Sequence, residues 1–381
     1  MAPIYVPIIK GHDGELKAIT QLRKAWSSAK PLIEFAVPKH GANVKSEIVT
    51  FVERFRRFIA NKQVFVDFYG IAPGTADING EHPVAAAFDV MRGYRLPVTP
   101  VVGLDREFAP EREREMWRDL APVVKSLGRG FCFRVDFDEL EATEEIWQQI
   151  VERSADLGIS PGQADVIVDL RSIRGRETEW LKEVVIDFIL GSQQFAPRSV
   201  VVAASSALAT VSEVPKNDRM TVERKELALW ASIVADTEFS MPLLFGDYGV
   251  ISPDFDRGGS ITNINAKIRY TAFENIHYFR GELFDKTPPE EQYHSLAQHV
   301  MASGVYEGRD ASFGDEYIYN CARGARVPRA AAPWVAVDQN RHIEHTAWHL
   351  EQIASLLIDA QPEDISRLLA GEAEAPASND R

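Results

Sequence analysis

The chain has 381 residues, which is enough for two domains or for one large domain with an appendage. With 45% hydrophobic and 26% charged residues it has the composition of an ordinary globular protein that can bury a core, not of a disordered or fibrous chain. The formal net charge of −14 argues against broad, non-specific binding to nucleic acid or to an anionic membrane, and leaves only a local basic groove open.

Short β-rich apolar runs alternate with helical patterns along the first 255 residues. Such alternation is typical of a parallel sheet whose strands are joined by helices. The last helix of the series is predicted around Met220–Ala235. The eight predicted strands are Ile4–Ile9, Pro31–Val37, Val64–Tyr69, Pro97–Leu104, Gly130–Phe137, Asp165–Ile173, Ser199–Ala204 and Pro242–Val250.

Successive strand starts are spaced by about 33 residues, a period that also occurs in ankyrin and tetratricopeptide arrays. Those repeats consist of helix pairs, whereas each unit here contains a strand such as VIVDL or SVVVAA. Eight strands, apolar nearly throughout, predict an α/β fold, an eight-stranded β/α (TIM-like) barrel over residues 1–255. An open doubly wound sheet is the alternative, but it would leave two edges.

The pattern changes after residue 255. The segments KIRYTAF and NIHYFRG are β-rich, and helices are predicted over Pro288–Ser303 and within Pro333–Leu357. We expect residues 256–360 to form an α+β extension packed on the barrel. Residues 361–381 are rich in Ala, Glu, Pro and Ser, which predicts a flexible tail.

Cysteine usage and the N-terminus bear on location. Cys132 and Cys321 lie far apart and in no CxxC pattern, which excludes a disulfide framework and a cysteine-rich zinc site. The N-terminus carries no basic leader, and no apolar run approaches the roughly 20 residues that span a bilayer. These features favour a cytoplasmic protein without a membrane partner.

The active site of a β/α barrel lies at the carboxyl ends of its strands, here called the mouth. Five of the predicted strands end at or near an acidic residue, so several carboxylates should lie close together at the mouth. Their mutual repulsion must be relieved by a divalent metal ion, by a neighbouring cation or by a raised pKa, and each of these can serve catalysis. We therefore expect catalytic roles for Asp136, Asp169, Lys10 and Asp247, and metal binding by Glu34, Asp67, Asp136 and Asp169. Lys10, Arg171 and Tyr248 are expected to bind substrate.

Other roles stay open at these positions. Strand-end carboxylates often cap helices or pair with cations, and Lys10 suits a Schiff base as well as an anion site. On a helix, His342, His345 and His349 share one face, a spacing able to offer imidazoles to a metal ion, although a polar face docked on the barrel explains it equally. His342 and Asn340 are also candidates to reach a phosphate at the mouth.

Two pairs of arginine beside an aromatic residue, Arg269 with Tyr270 and Phe279 with Arg280, suit stacking on nucleobases. Ordinary packing on a strand face explains them as well. Nucleic-acid binding is therefore the weakest of the functional hypotheses.

The order of several short motifs resembles one known family. YVPIIKGHDGELKAI, PLIE, VDF, VIVDLRSI and FGDYG are followed by Trp334, Asn340 and His342. Together they are similar to the phage-type "beta protein" family, whose members occur in phages and bacterial genomes. The resemblance covers residues 4 to about 350 and implies an association with anti-phage defence. It assigns no reaction, cofactor or catalytic residue.

These observations favour an enzyme, a hydrolase or lyase, that acts on a phosphorylated or nucleotide-like small molecule at the mouth. Its candidate cofactor is a divalent metal ion. The alternative is a non-catalytic recognition or assembly component of a phage-defence or phage-encoded system that binds a partner protein.

Overall fold

The computed structural model describes residues 4–36, 42–59, 61–104, 109–192, 195–236, 238–254 and 264–359. Eight parallel strands close a barrel in the order β1–β2–β3–β4–β5–β6–β7–β9, which confirms the predicted TIM-like fold. They are β1 (Tyr5–Lys10), β2 (Leu32–Glu34), β3 (Val64–Asp67), β4 (Val98–Gly103), β5 (Phe131–Asp136), β6 (Ala164–Ser172), β7 (Ser199–Ser205) and β9 (Leu243–Asp247).

Seven helices of the barrel region follow the apolar periodicity of the sequence. In one of them Ile48, Phe51, Val52, Phe55 and Ile59 are buried, the one-sided spacing of a helix that packs on a sheet. The seven helices are α1 (Asp13–Thr20), α2 (Val44–Ile59), α3 (Pro83–Gly93), α4 (Pro110–Leu127), α5 (Thr143–Leu157), α6 (Thr178–Gly191) and α7 (Lys225–Asp236).

Alternate residues of each barrel strand face the lumen, as the two-residue period of a strand requires. Val6 and Ile8 of β1 belong to an apolar cluster inside the barrel, whereas Tyr5 and Ile9 belong to the larger core between strands and helices. The lumen is a packed core. It leaves no room for a larger residue at Gly246 of β9, because an added Cβ atom there would lie only 2.8 Å from the Cβ atom of Ala203 on β7. The last inward residue of each strand therefore lies at the mouth.

A three-stranded antiparallel sheet of order β10–β11–β8 forms the second part of the molecule. Ile268, Tyr270 and Phe279 on one of its faces share a core with Tyr293 and Trp334 of the C-terminal helices. Its elements are β8 (Asp218–Glu223), β10 (Asn265–Ala272) and β11 (Asn275–Leu283), with α8 (Pro289–Ala302), α9 (Phe313–Ala322) and α10 (Ala332–Asp359).

Strand β8 corrects one prediction. The helix expected around Met220–Ala235 begins at Lys225, and the residues before it form a strand paired with β11. Thr221 and Val222 are β-branched and pack with their neighbours on a pleated surface, which favours a strand over the first turn of a helix. The second sheet thus takes one strand from within the predicted barrel range, so the domain division at residue 255 stays a prediction.

Among the described helices, none combines the length and the apolar composition that a membrane span requires. The expected cytoplasmic location stays a prediction. The predicted flexible tail, residues 361–381, lies outside the described residues.

Candidate functional site

The carboxyl ends of β2, β3, β5 and β6 bring polar side chains together at the mouth of the barrel. Glu34, Asp67, Arg134 and Asp169 are inward residues of these strands, and Tyr248 directly follows β9. All five are buried. They form what we call the floor of the mouth, directly above the apolar filling of the lumen.

Arg134 lies at the centre of the floor. Its Nη1 donates to Oδ2 of Asp67 at 2.9 Å, and its Nε and Nη2 donate to Oδ2 of Asp169 at 3.0 and 2.6 Å. Oε1 of Glu34 lies 2.8 Å from Nη1 as an ion-pair contact, without the direction of a hydrogen bond. Nη2 also donates to the hydroxyl of Tyr248 at 2.8 Å. One guanidinium thus supplies three buried carboxylates with the polar contacts that water would otherwise make.

Arg134 was not among the residues expected at the mouth, although the sequence contained a signal for it. It lies two residues before Asp136 on β5, so both side chains belong to the same face of that strand. Arg134 was not expected because it is not the last residue of its strand. The structure shows that the carboxylates expected to bind a metal ion, Glu34, Asp67 and Asp169, are already neutralised in part by this arginine.

Tyr248 and Asp169 form a short contact of the floor, in which the Tyr248 hydroxyl donates to Oδ2 of Asp169 at 2.6 Å. Burial and the charge of Asp169 raise the pKa of Tyr248 well above its ordinary value. Burial would also raise the pKa of Asp169, but Arg134 and Arg171 outweigh burial and hold that pKa below its ordinary value. The tyrosine is therefore a protonated donor and the aspartate an ionised acceptor at neutral pH.

Arg171 stands above the floor on an irregularity of β6. The pairing register of β6 with β7 shifts between Asp169 and Ser172, and Arg171 has a positive φ of 55°, which is uncommon for a residue other than glycine. Oδ1 of Asp169 accepts the backbone N–H of Arg171 at 3.0 Å and stabilises this bulge. The bulge directs the arginine side chain across the mouth.

The guanidinium of Arg171 contacts the third and fifth strands' ends. Its Nη2 donates to the hydroxyl of Tyr69 at 2.6 Å, its carbon lies 5.1 Å from the centre of that ring, and its Nε is 3.7 Å from Oδ2 of Asp136. Tyr69, Asp136 and Arg171 are all half-buried, unlike the floor. We call these three residues with Lys10 the rim.

Asp136 and Lys10 complete the rim. Asp136 accepts the backbone N–H of Phe137 at 2.9 Å and caps the short 3₁₀ helix Phe137–Ala142, so one of its oxygens has a structural role. Lys10 ends β1 beside Glu34 in the parallel register and is half-buried. Both predicted residues thus lie at the mouth.

Asp247 was expected at the mouth and lies elsewhere. Because Gly246 and Tyr248 face the lumen, Asp247 faces outward, toward α10. Its Oδ1 accepts the Tyr5 hydroxyl at 2.7 Å, and its Oδ2 lies 2.7 Å from Nε2 of His342 and 3.2 Å from Nη2 of Arg224. Burial would raise the pKa of Asp247, but His342 and Arg224 lower it to about 2. A role in the mouth is not compatible with this orientation.

His342 and Asn340 also lie away from the mouth. Nδ1 of His342 is 2.8 Å from Oγ1 of Thr271, and its other ring nitrogen contacts Asp247. Asn340 donates to the carbonyl of Ala18 at 3.1 Å and accepts the N–H of Gly314 at 3.1 Å. Both side chains are fully buried and join α10 to the rest of the molecule. Neither reaches a ligand at the mouth.

The three histidines of α10 do not converge on one point. Nε2 of His345 accepts the backbone N–H of Phe273 at 2.6 Å, while its Nδ1 lies 2.9 Å from Glu307. In the parts of the chain that the structure describes, no group of three or more His, Cys, Asp or Glu side chains is arranged to hold a metal ion. The divalent metal ion expected from the sequence stays a prediction.

The arginines expected to stack on nucleobases are used in packing. Arg280 is buried and donates to the carbonyls of Ser212 and Val214 at 3.1 and 2.5 Å. Nη1 of Arg269 lies 3.3 Å from Oδ2 of Asp338 on α10. Ordinary strand-face packing therefore accounts for both pairs.

Comparison with known proteins adds a family. The solved structure of a type I 3-dehydroquinate dehydratase from Clostridium difficile is 14% identical, with 67% of this chain and 87% of that chain covered at a TM-score of 0.41. Triosephosphate isomerase from Bartonella henselae is 13% identical, with 64% and 91% covered at a TM-score of 0.34. No curated protein sequence matches significantly. The model of the family described as Beta protein, however, matches residues 5–347, nearly the whole chain, and this chain therefore belongs to the Beta protein family.

Proposed function

We propose that the mouth is the active site of an enzyme, a hydrolase or lyase, that acts on a phosphorylated or nucleotide-like small molecule. Barrels of this fold are often enzymes, and their sites lie at this end. The observation that carries the proposal is the bulge at Arg171. A residue other than glycine with a φ of 55° costs backbone strain, and such strain recurs where a side chain must be aimed at a ligand.

The rim supplies the groups that such a substrate needs. Arg171 presents a planar guanidinium, the group best matched to the oxygens of a phosphate, and Lys10 adds a second positive charge. The Arg171 guanidinium lies over the Tyr69 ring, and we expect a planar base to stack on this pair of planar groups. Asp136 is the half-buried carboxylate nearest to Arg171 and is the proposed general acid or base.

The floor has a positioning role in this proposal. Asp169 accepts hydrogen bonds from Arg134, from Tyr248 and from the backbone of Arg171, so it links the floor to the rim. Its contact with the backbone N–H of Arg171 holds the bulge from which the guanidinium extends toward Asp136. Such preorganisation is what lets a site favour one bound geometry without reordering its own dipoles.

Binding and turnover of a defined panel test the proposal. Inorganic phosphate, ribose 5-phosphate and AMP are titrated by calorimetry, and turnover is followed by phosphate release and mass spectrometry. Arg171→Met should weaken binding about 10-fold or more, because it removes charged hydrogen bonds. Asp136→Asn, which keeps the helix cap, should leave binding near the wild-type value and reduce turnover by about 100-fold or more.

Arg118→Ala is the matched control, because Arg118 is an exposed arginine of α4 and lies outside the mouth. It should leave both binding and turnover unchanged. The proposal fails if none of the three ligands binds, or if Arg118→Ala weakens binding as much as Arg171→Met does.

A second function, recognition of a partner protein, is favoured by a different observation. Phe273 is 50% exposed and Trp348 is 43% exposed, and their ring centres lie 6.4 Å apart on the surface of the extension. Phe273 also has a positive φ of 47° in the turn between β10 and β11. Paired aromatic residues of this kind are enriched at protein interfaces. A partner in a phage-defence or phage-encoded system is the corresponding proposal.

This second function requires that a purified partner protein binds the purified chain directly. Its affinity should fall about 10-fold or more in the variant Phe273→Ser with Trp348→Ser, because central aromatic residues dominate interface energies. A partner that binds this variant as tightly as the wild type would remove the aromatic pair from consideration.

A further inference from the structure

Strand β8 is an edge of the second sheet. It pairs with β11 on one side, and within the described residues no strand pairs with its other side. Four of its six residues are exposed, among them Arg219, Thr221 and Glu223. Six residues present a row of backbone donors and acceptors about 20 Å long, which is a template for another strand.

The exposed side chains of β8 carry a specific charge pattern. Arg219, Thr221 and Glu223 lie two residues apart and therefore on the same face of the strand. Thr221 lies 3.0 Å from Nδ1 of His277 on β11, whereas Arg219 and Glu223 form no ion pair in the described part of the chain. A positive residue thus lies two positions before Thr221 and a negative residue two positions after it.

A strand with this pattern is complementary to itself. When two copies pair antiparallel around a twofold axis, opposed residues must both point their backbone groups toward the partner or both away from it. This allows only registers in which the two opposed residue numbers have an even sum. Among these, the register that places Thr221 opposite Thr221 of the second copy places Arg219 opposite its Glu223, twice per dimer.

The same register is favourable on the other face of β8. It places Met220 opposite Val222 of the second copy, and both side chains are half-buried against the apolar cluster between the sheet and the barrel. Directly opposed pairs of opposite charge and of apolar residues both stabilise antiparallel strands. Neighbouring even registers shift Arg219 away from Glu223 and lose the charge pairing.

We propose that two copies of the chain associate through β8, in the register centred on Thr221, into a continuous six-stranded sheet. Charges on an edge strand also serve to prevent such pairing. A row of one sign would do so, because it repels its own copy. The mixed signs of β8 have the opposite effect in this register, since each attracts its counterpart across the twofold axis.

Sedimentation velocity of the full chain over a wide range of concentration tests the proposal. The wild type should show a monomer–dimer equilibrium that weakens as salt screens the ion pairs. Arg219→Glu opposes two glutamates and Glu223→Arg opposes two arginines, so each should raise the dimer dissociation constant about 10-fold or more. The double variant with both changes restores opposite charges and should dimerise like the wild type.

Arg114→Glu is the control, because it reverses an exposed arginine on α4 and should leave the dimer unchanged. Circular dichroism verifies that each variant is folded. A wild type that is monomeric at every concentration overturns the proposal. A dimer that neither single variant weakens, or that the double variant does not restore, overturns it as well.

Discussion

Arg134 on β5 and Asp169 on β6 are joined by two hydrogen bonds from one guanidinium to one carboxylate oxygen, at 3.0 Å from Nε and 2.6 Å from Nη2. The same guanidinium contacts Glu34 and Asp67. Its positive charge is therefore shared by three buried carboxylates. Without this guanidinium, the three carboxylates would repel one another.

Arg134→Met should lower the free energy of unfolding by about 3–5 kcal/mol, because it leaves buried carboxylates without their cation. Urea unfolding at neutral pH measures the change. Arg118→Met, at an exposed ion pair, should change the same free energy by less than about 1 kcal/mol. A loss below about 1 kcal/mol for Arg134→Met would mean that water or relaxation compensates the carboxylates.

Two substitutions at Arg171 separate backbone strain from the role of the guanidinium. Arg171→Ala and Arg171→Gly both remove the side chain, but only glycine adopts a φ of 55° without a steric penalty. The glycine variant should therefore be more stable than the alanine variant by about 1 kcal/mol. Both should lose the anion binding proposed above. Equal stabilities in urea unfolding would show that the bulge relaxes when the arginine is removed.

His349 predicts a pH dependence of stability. Burial lowers the pKa of His349 to about 4, from an ordinary value of 6.5. The unfolded chain therefore takes up a proton near pH 6.5, whereas the native state does so only near pH 4. The free energy of unfolding falls as the pH is lowered through this window, by up to about 3 kcal/mol from this residue.

His349→Gln should remove this contribution, so that unfolding curves at pH 7 and pH 4.5 lie closer together than those of the wild type. The Nδ1 atom of His349 has no hydrogen-bond partner in the described part of the chain, so the substitution should cost little at neutral pH. If wild type and variant lose stability in parallel, the acid sensitivity lies in other groups.

Removal of metal ions gives a fourth prediction. Because Arg134 already lies among Glu34, Asp67 and Asp169, we expect a chelator to leave the melting temperature of the purified protein unchanged. Differential scanning calorimetry with metal analysis of the same sample measures this. A stoichiometric divalent ion whose removal lowers the melting temperature by several degrees would instead support the metal site predicted from the sequence.

The barrel was predictable because its signal is repeated. Runs such as VIVDL and SVVVAA are buried on both faces and alternate with helices, so each unit gives the same indication independently. Strand β8 gave no such signal. It has only six residues, and its partner β11 lies more than 50 residues away in the chain. Its apolar residues directly precede those of α7, so the sequence pattern combined the strand with the helix that follows.

The site was predictable only in part, because composition locates the strand ends but not the direction of each side chain. Asp247 and Tyr248 are adjacent, so at most one of them can face the lumen, yet the sequence alone does not say which. The packing around Gly246 decides it in favour of Tyr248. Arg171 was located correctly, but the bulge that aims it depends on a backbone conformation that its residue type does not suggest.

The contact between Tyr5 and Asp247 joins the first and last strands of the barrel, which are 242 residues apart in the chain, and His342 of α10 holds the same carboxylate. During synthesis, β1 and β9 both leave the ribosome well before α10 does. Until α10 arrives, the carboxylate at the seam lacks its histidine, and a barrel closed at that stage would bury it with fewer partners. We therefore expect α10 to stabilise the closed seam once it has been synthesised, and a nascent chain that ends before α10 to keep the barrel closed less firmly.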